Sequence, residues 1–137
     1  MSLVETSCAA AILALAIAGL TNVAATSASL HKLGVQKAAA VRAVERQMAA
    51  VVASNFATLP ATWNNVGFTA GLEGEAGAAL QAVKGDADGL PGSIVVSAPT
   101  GKPTELLEIL VRVDWQAPHG PAGVSRRLLI SRIGTGS

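Results

Sequence analysis

The sequence begins MSLVETSCAAAILALAIAGL, residues 1–20, and this segment determines much of the architecture. From Cys8 to Leu20 it has no polar side chain apart from the thiol, and Glu5 is the only side chain before His31 that is charged at neutral pH. A run that is apolar on every side predicts a helix surrounded by lipid or by other helices. A lone carboxylate at the start of such a helix is costly in a low-dielectric environment, so we expect Glu5 to have a partner and a function.

The helix is predicted to continue well beyond the apolar run. No proline occurs before Pro60, so we expect helix from Leu3 to about Asn55. Its second part is amphipathic, with apolar residues at helical spacing: Leu30, Leu33, Val41, Val44, Met48, Val51 and Val52. The chain therefore divides into residues 1–29, the apolar assembly or membrane part, and residues 30–137, the amphipathic helix half with a C-terminal globular β domain.

The middle of the chain is rich in turn formers. Residues 55–71 are predicted to form a loop that four large side chains pin to the sheet: Phe56, Leu59, Trp63 and Phe68. Residues 75–83 are compatible with a short helix, and residues 84–92 are predicted to be turns.

Three strands are predicted in the C-terminal part. Residues 93–98 are short and β-branched, residues 106–115 alternate clearly, and residues 125–133 alternate weakly after a Pro/Gly-rich loop at 116–123. In the second strand one face is apolar: Leu107, Ile109, Val111, Val113 and Trp115. These features predict an α+β protein, a long N-terminal helix packed on a small antiparallel sheet of about three strands.

Composition excludes several classes of function. The 137 residues are enough for one domain, or for one helix and one small domain. The net charge of +1 gives no electrostatic basis for direct nucleic-acid binding. Cys8 is the only cysteine, which excludes an intramolecular disulfide and a cysteine zinc cluster, and we expect it to be a small buried hydrophobe. No motif indicates a cofactor or an enzyme.

The first five residues resemble the N-terminus of type IV pilins and type II secretion pseudopilins. In that family a peptidase removes a short basic leader, and the processed chain begins with Phe or Met, a small residue, two aliphatic residues and Glu. Met1, Ser2, Leu3, Val4 and Glu5 match these positions. We therefore read the numbering as that of the processed chain. The layout of helix, loop and sheet is similar to the type IV pilin fold. The strand ending in Asp114-Trp115, the Gly-rich loop and the strand starting at Arg126-Arg127 resemble minor pilins and small secretion pseudopilins.

The resemblance implies a structural subunit of a type IV pilus or pilus-like filament. It implies that Glu5 pairs with the methylated N-terminal amine of Met1 in an adjacent subunit during assembly. The implied partners are further copies in a helical filament or other pilins, the prepilin peptidase/methylase and a motor ATPase. The implied location is the bacterial inner membrane before assembly and an extracellular or periplasmic filament afterwards. Adhesion, motility, DNA uptake and secretion all use this scaffold.

Other interpretations of the apolar segment stay open. Cys8–Leu20 has the length of a signal-peptide core, and Thr26–Ala28 resembles a cleavage site, although no positive residues precede it. An ordinary membrane anchor, with residues 21–29 completing the span, is another reading. The alternative function is a membrane-anchored periplasmic binding module that does not polymerise and uses the sheet or the loop at 56–68.

Few other residues suggest chemistry. Asp86 and Asp88 match the opening of a calcium loop, but no bidentate Glu follows at the required spacing, so a plain turn is the preferred interpretation and no metal site is predicted. His31 and His119 are each isolated and are read as solvated residues. Trp63 and Trp115 are read as core or helix contacts.

Overall fold

The computed structural model describes residues 2–71, 80–83, 88–99, 101 and 105–132. The chain divides into two compact units, Met1–Gly34 and Val35–Ser137. Helix α1, Leu3–Val52, contributes to both. Gly19 and Gly34 lie within it without interrupting the helix, and the helix also continues through Asn22. The predicted helix is confirmed, with an end three residues before the expected Asn55.

The segment after α1, predicted to be a loop, is mostly regular. A 3-10 helix covers Phe56–Thr58, helix α2 covers Leu59–Trp63, and strand β1 covers Val66–Phe68. The amide of Asn55 caps the 3-10 helix by accepting a hydrogen bond from the Ala57 N–H over 3.0 Å. The prediction of a loop was wrong because Pro60, taken as a turn former, occupies the first turn of α2, where its missing N–H costs nothing.

The sheet has four antiparallel strands in the order β1-β2-β3-β4. Strand β2 is Gly92–Ser97, β3 is Leu106–Ala117 and β4 is Gly120–Ser131. The α+β class and the antiparallel meander are confirmed, whereas the expected number of about three strands is corrected to four. The additional strand is β1, which has only three residues and therefore shows no usable alternation.

The loop predicted at residues 116–123 is also corrected. Strands β3 and β4 continue through it to the pair Ala117↔Gly120, which leaves only Pro118 and His119 in the turn. The last strand therefore begins at Gly120 instead of Ser125. Pro121 is tolerated there because β4 is an edge strand, where an outward position needs no N–H. At Gly123 a Cβ would meet the Asp114 carboxylate on β3, so this position favours glycine.

Residues 80–83, the described part of the short helix predicted at 75–83, are not helical. The Leu80 N–H donates to the Ala70 carbonyl over 2.8 Å, and the Gln81 carbonyl accepts from the Gln116 N–H over 2.9 Å. The rest of that predicted helix lies outside the described residues, as do residues 84–87 of the turn segment and Ile133 at the end of the last predicted strand.

The core of the second unit lies between the sheet and the Val35–Val52 part of α1. The predicted buried face of β3 is confirmed, since Leu107, Ile109, Val111, Val113 and Trp115 are all at most 1% exposed. The helix contributes a face built largely from alanine: Ala39, Ala40, Ala43, Val44, Met48 and Val51. Of the predicted apolar helix residues, Leu30 and Val52 are exposed instead.

Trp115 and Phe68 each make a specific contact within this unit. The Trp115 indole Nε1 donates to Gln36 Oε1 on α1 over 3.3 Å, so this tryptophan is a contact between the sheet and the helix. The Phe68 ring lies over Gly92, its pair on β2, so closely that a Cβ on Gly92 would come within 2.4 Å of the ring. Of the four residues expected to attach this segment to the sheet, Phe68 and Leu59 are buried, at 9% and 1% exposure, whereas Phe56 and Trp63 are half-buried.

Candidate functional site

The apolar part of α1 is uncovered over its whole length. Every residue from Ser2 to Ala28 is exposed. The large apolar side chains of the first unit are 53% to 86% exposed, except Leu33, which is half-buried: Leu3, Val4, Ile12, Leu13, Leu15, Ile17, Leu20, Val23 and Leu30. Because a monomeric soluble protein rarely exposes so large an apolar surface, this surface needs lipid or other protein around it.

By length and composition α1 is able to cross a membrane. None of its most apolar window is buried inside the molecule, which distinguishes it from the core helix of a soluble protein. A signal sequence near an N-terminus has the same properties. The length, the apolar composition and the exposure of this segment are thus consistent with either a membrane anchor or a signal sequence.

Ser2 and Glu5 form a reciprocal cap at the start of α1. The Glu5 N–H donates to Ser2 Oγ, and the Ser2 N–H donates to Glu5 Oε2, each over 3.3 Å. This is the capping box of the pattern S-x-x-E. The sequence analysis missed it, although the signal is present in Ser-Leu-Val-Glu. Glu5 therefore has a partner within its own chain, and its charge also suits the positive end of the helix dipole.

The hydroxyl side chains near the start and in the second half of the apolar segment bond to the helix backbone. Thr6 Oγ1 donates to the Ser2 carbonyl over 3.3 Å, and Ser7 Oγ donates to the Leu3 carbonyl over 2.9 Å. Thr21 and Thr26 donate in the same way to backbone carbonyls one turn back, each over 2.9 Å. Hydroxyls satisfied by their own helix are compatible with lipid or with a dry helix bundle.

The structure describes four of the first five residues, which carry the N-terminal motif. Met1 lies outside the described residues. Leu3 and Val4 point outward, 86% and 71% exposed, between the two capping residues. The structure thus brings Ser2 and Glu5 together, and pairing of Glu5 with an N-terminal amine stays a prediction. Cys8, expected to be buried, is exposed in the single chain, because no described residue covers this part of α1.

The calcium candidate is described in part. Asp88 Oδ1 accepts the Leu90 N–H over 3.0 Å, and Gly89 adopts a positive φ of 66°, so these residues form a turn held by the aspartate side chain. Asp86 lies outside the described residues. Within the described parts of the chain no three His, Cys, Asp or Glu residues are grouped so that they could hold a metal ion.

The remaining candidates lie apart from one another. His31 is exposed on α1, and His119 is exposed in the turn between β3 and β4. Trp63 Nε1 donates to Ser54 Oγ over 2.9 Å and so joins α2 to the end of α1, while Trp115 is buried. Among the described residues, the most prominent feature is therefore the exposed apolar surface of α1, and no cluster of reactive side chains is found there.

Comparison of the chain with protein-family models, with curated proteins and with solved structures found no match.

Proposed function

We propose that this protein is a structural subunit of a type IV pilus or pilus-like filament, polymerising through the leading half of α1. The observation that carries the proposal is the uncovered apolar surface of α1 from Leu3 to Leu30. The sheet and the Val35–Val52 part of α1 bury their own core, so this surface is not needed to complete the globular unit. Bundling with the same helix of other subunits would remove it from water.

In this proposal Glu5 directs assembly by pairing with the Met1 amine of an adjacent subunit. A carboxylate has about four acceptor sites, so the single bond from the Ser2 N–H leaves capacity for a cation. Before assembly the charge of Glu5 lies at the edge of an apolar helix without a counter-ion nearby in sequence. Assembly supplies the cation at low dielectric, where an ion pair is strong and an unpaired charge is expensive.

The location follows from the same surface. Before assembly the leading half of α1 is held in the bacterial inner membrane, where a prepilin peptidase/methylase would process the chain. After assembly the subunit belongs to an extracellular or periplasmic filament, made of this chain alone or with other pilins. The globular units would then lie on the outside.

Sedimentation and electron microscopy of the full-length protein after detergent removal test the proposal. A filament subunit gives fast-sedimenting polymers with a regular helical repeat. A membrane-anchored periplasmic binding module, the alternative function, stays monomeric in detergent and gives disordered aggregates or vesicle-bound monomers when detergent is removed. The second result would contradict the proposal.

A further inference from the structure

Strand β4 forms a long open edge of the sheet. It pairs with β3 over all twelve of its residues, from Gly120 to Ser131, and no described residue pairs with its other side. An edge of this length presents a row of main-chain donors and acceptors, which is a template for a further strand.

The register shows which main-chain groups face outward. On β3 the N–H groups of Asp114 and Gln116 donate to Pro91 and Gln81, on the side away from β4. Next to β4, the Arg132 N–H donates to the Glu105 carbonyl. Even-numbered residues of β4 therefore bond to β3. The outward amides belong to Gly123, Ser125, Arg127, Leu129 and Ser131, whereas Pro121 near the hairpin has no N–H to offer.

The opposite edge strand, β1, is a much shorter template, because it has only three residues, Val66–Phe68. Strand β1 covers only part of β2, and beyond it the Asn64 side chain accepts the Val96 N–H over 3.1 Å. Helix α2 also packs beside β2 at this edge. Among the described residues, β4 therefore presents the longest unpaired strand edge of the sheet.

The side chains of β4 are apolar and basic. Leu128 is 36% exposed and Leu129 is 56% exposed, on opposite faces of the strand. Arg126 and Arg127 lie just before them, Arg132 follows the strand, and no Asp or Glu occurs after Asp114. An extended segment beside this edge would meet positive charge on both faces.

Charge also argues against a second copy of this chain as the occupant. Suppose that two β4 strands paired antiparallel about a two-fold axis near residues 126–129. Arg126 or Arg127 of one copy would then lie opposite the same arginine of the other copy, or one cross-strand pair away from it. Like charges opposite each other in a sheet are destabilising. The arginines therefore disfavour self-pairing and favour an acidic strand.

We propose that the open edge of β4 from Gly123 to Ser131 binds an extended acidic segment of another polypeptide as a fifth strand. Main-chain hydrogen bonds from the outward amides supply affinity, and Arg126, Arg127 and Arg132 select acidic side chains. The leucines Leu128 and Leu129 give apolar contact on the two faces. This inference does not depend on whether the chain polymerises.

The existing ion pairs leave the arginines available. Arg126 Nη1 lies 3.5 Å from Glu45 Oε1, and Arg127 Nε lies 3.2 Å from Glu108 Oε1. The Arg126 and Glu45 side chains are 59% and 57% exposed, and an exposed pair of this kind contributes little to stability. Arg127 is 65% exposed, although its partner Glu108 is only 24% exposed. An incoming carboxylate can therefore share or replace these contacts.

Hydrogen exchange of the full-length protein in detergent micelles tests the proposal residue by residue. The probe is a pool of synthetic peptides as long as the open edge, with Glu, Thr or Val at each position. A matched pool has Lys in place of Glu. With about millimolar acidic pool, we expect the amides of Gly123, Ser125, Arg127 and Leu129 to exchange about tenfold more slowly, with a much smaller effect of the basic pool.

Two variants make the test specific. Leu129→Pro removes an outward N–H while leaving the bonds to β3, and should abolish the protection, whereas Leu129→Val keeps the N–H and should retain it. The double variant Arg126→Gln, Arg127→Gln should lose the preference for the acidic pool. Unchanged exchange with the acidic pool, equal protection by both pools, or protection that appears with protein concentration alone would overturn the proposal.

Discussion

Ser2 and Glu5 cap the first turn of α1 reciprocally, with the Ser2 N–H on Glu5 Oε2 and the Glu5 N–H on Ser2 Oγ, each over 3.3 Å. This relationship gives Glu5 a structural role inside its own chain, separate from the proposed pairing with a neighbouring amine. The two roles have different chemical requirements. A capping box accepts either Glu or Gln at this position, whereas an ion pair needs the charge.

Removing the leading half of α1 should give a soluble monomer. In a chain starting at Ser29, Leu30 is the large exposed apolar residue that remains from the first unit, and the core of the second unit is retained. Analytical ultracentrifugation without detergent should show a single species of monomer mass. Filaments formed by this fragment would show that the leading half of α1 is not the assembly surface.

Val113→Asp should strongly destabilise the globular unit. Val113 is 0% exposed on the inner face of β3, and burying an unpaired carboxylate there costs several kcal/mol, comparable with the whole stability of a small domain. The matched control is Val95→Asp, because Val95 is 38% exposed on the outer face of β2. Denaturant unfolding should show a shift of about 0.5 kcal/mol or less for the control. Equal effects of both changes would refute the assigned faces.

Because Phe68 and Gly92 are in close contact, substitutions at these two positions should have non-additive effects on the free energy of unfolding. A Cβ at residue 92 would lie 2.4 to 2.5 Å from three ring atoms of Phe68, so Gly92→Ala must displace the ring. We expect Gly92→Ala to cost about 1–3 kcal/mol and Phe68→Ala, which truncates a buried ring, to cost about 3–5 kcal/mol. The double variant should be less destabilised than the sum of the two, since Phe68→Ala creates room for the new methyl group. Additive unfolding free energies would contradict this contact.

Calcium should have little effect on stability. Asp88 uses Oδ1 to hold its own turn, and a calcium site needs six to eight oxygen ligands. The melting temperature of the full-length protein in detergent should therefore be the same in EDTA and in calcium. If the melting temperature fell by several degrees in EDTA and calcium restored it, this prediction would be wrong and Asp86 and Asp88 would be identified as calcium ligands.

The long helix and the buried face of β3 could be predicted from the sequence, because both have strong sequence patterns. The absence of proline before Pro60 predicted α1, and the alternation of Leu107 to Trp115 predicted the buried face of β3. The inner helix face was only partly predicted, since Ala39, Ala40 and Ala43 are small and carry a weak hydrophobic signal. Strand β1 is too short for a period, and its place depends on contacts with residues far along the chain, such as Gly92.

The candidate site could be predicted from the sequence only in part. Apolar composition identified the exposed segment of α1, and the position of Glu5 singled out that residue. The capping partner Ser2 was missed because it was read only as a small residue of the motif. The proposed neighbour of Glu5 belongs to another molecule, so neither one sequence nor one chain contains its position.

Pairing of Glu5 with a neighbouring N-terminus is tested by the filament yields of Glu5→Gln and Ser2→Ala, counted side by side by electron microscopy. Glu5→Gln keeps the cap and removes the charge, whereas Ser2→Ala removes the cap, at about 1 kcal/mol, and keeps the charge. We expect both variants to remain in the membrane, Ser2→Ala to form filaments, and Glu5→Gln to form few or none. Normal filament yield from Glu5→Gln would contradict pairing of Glu5 with a neighbouring N-terminus.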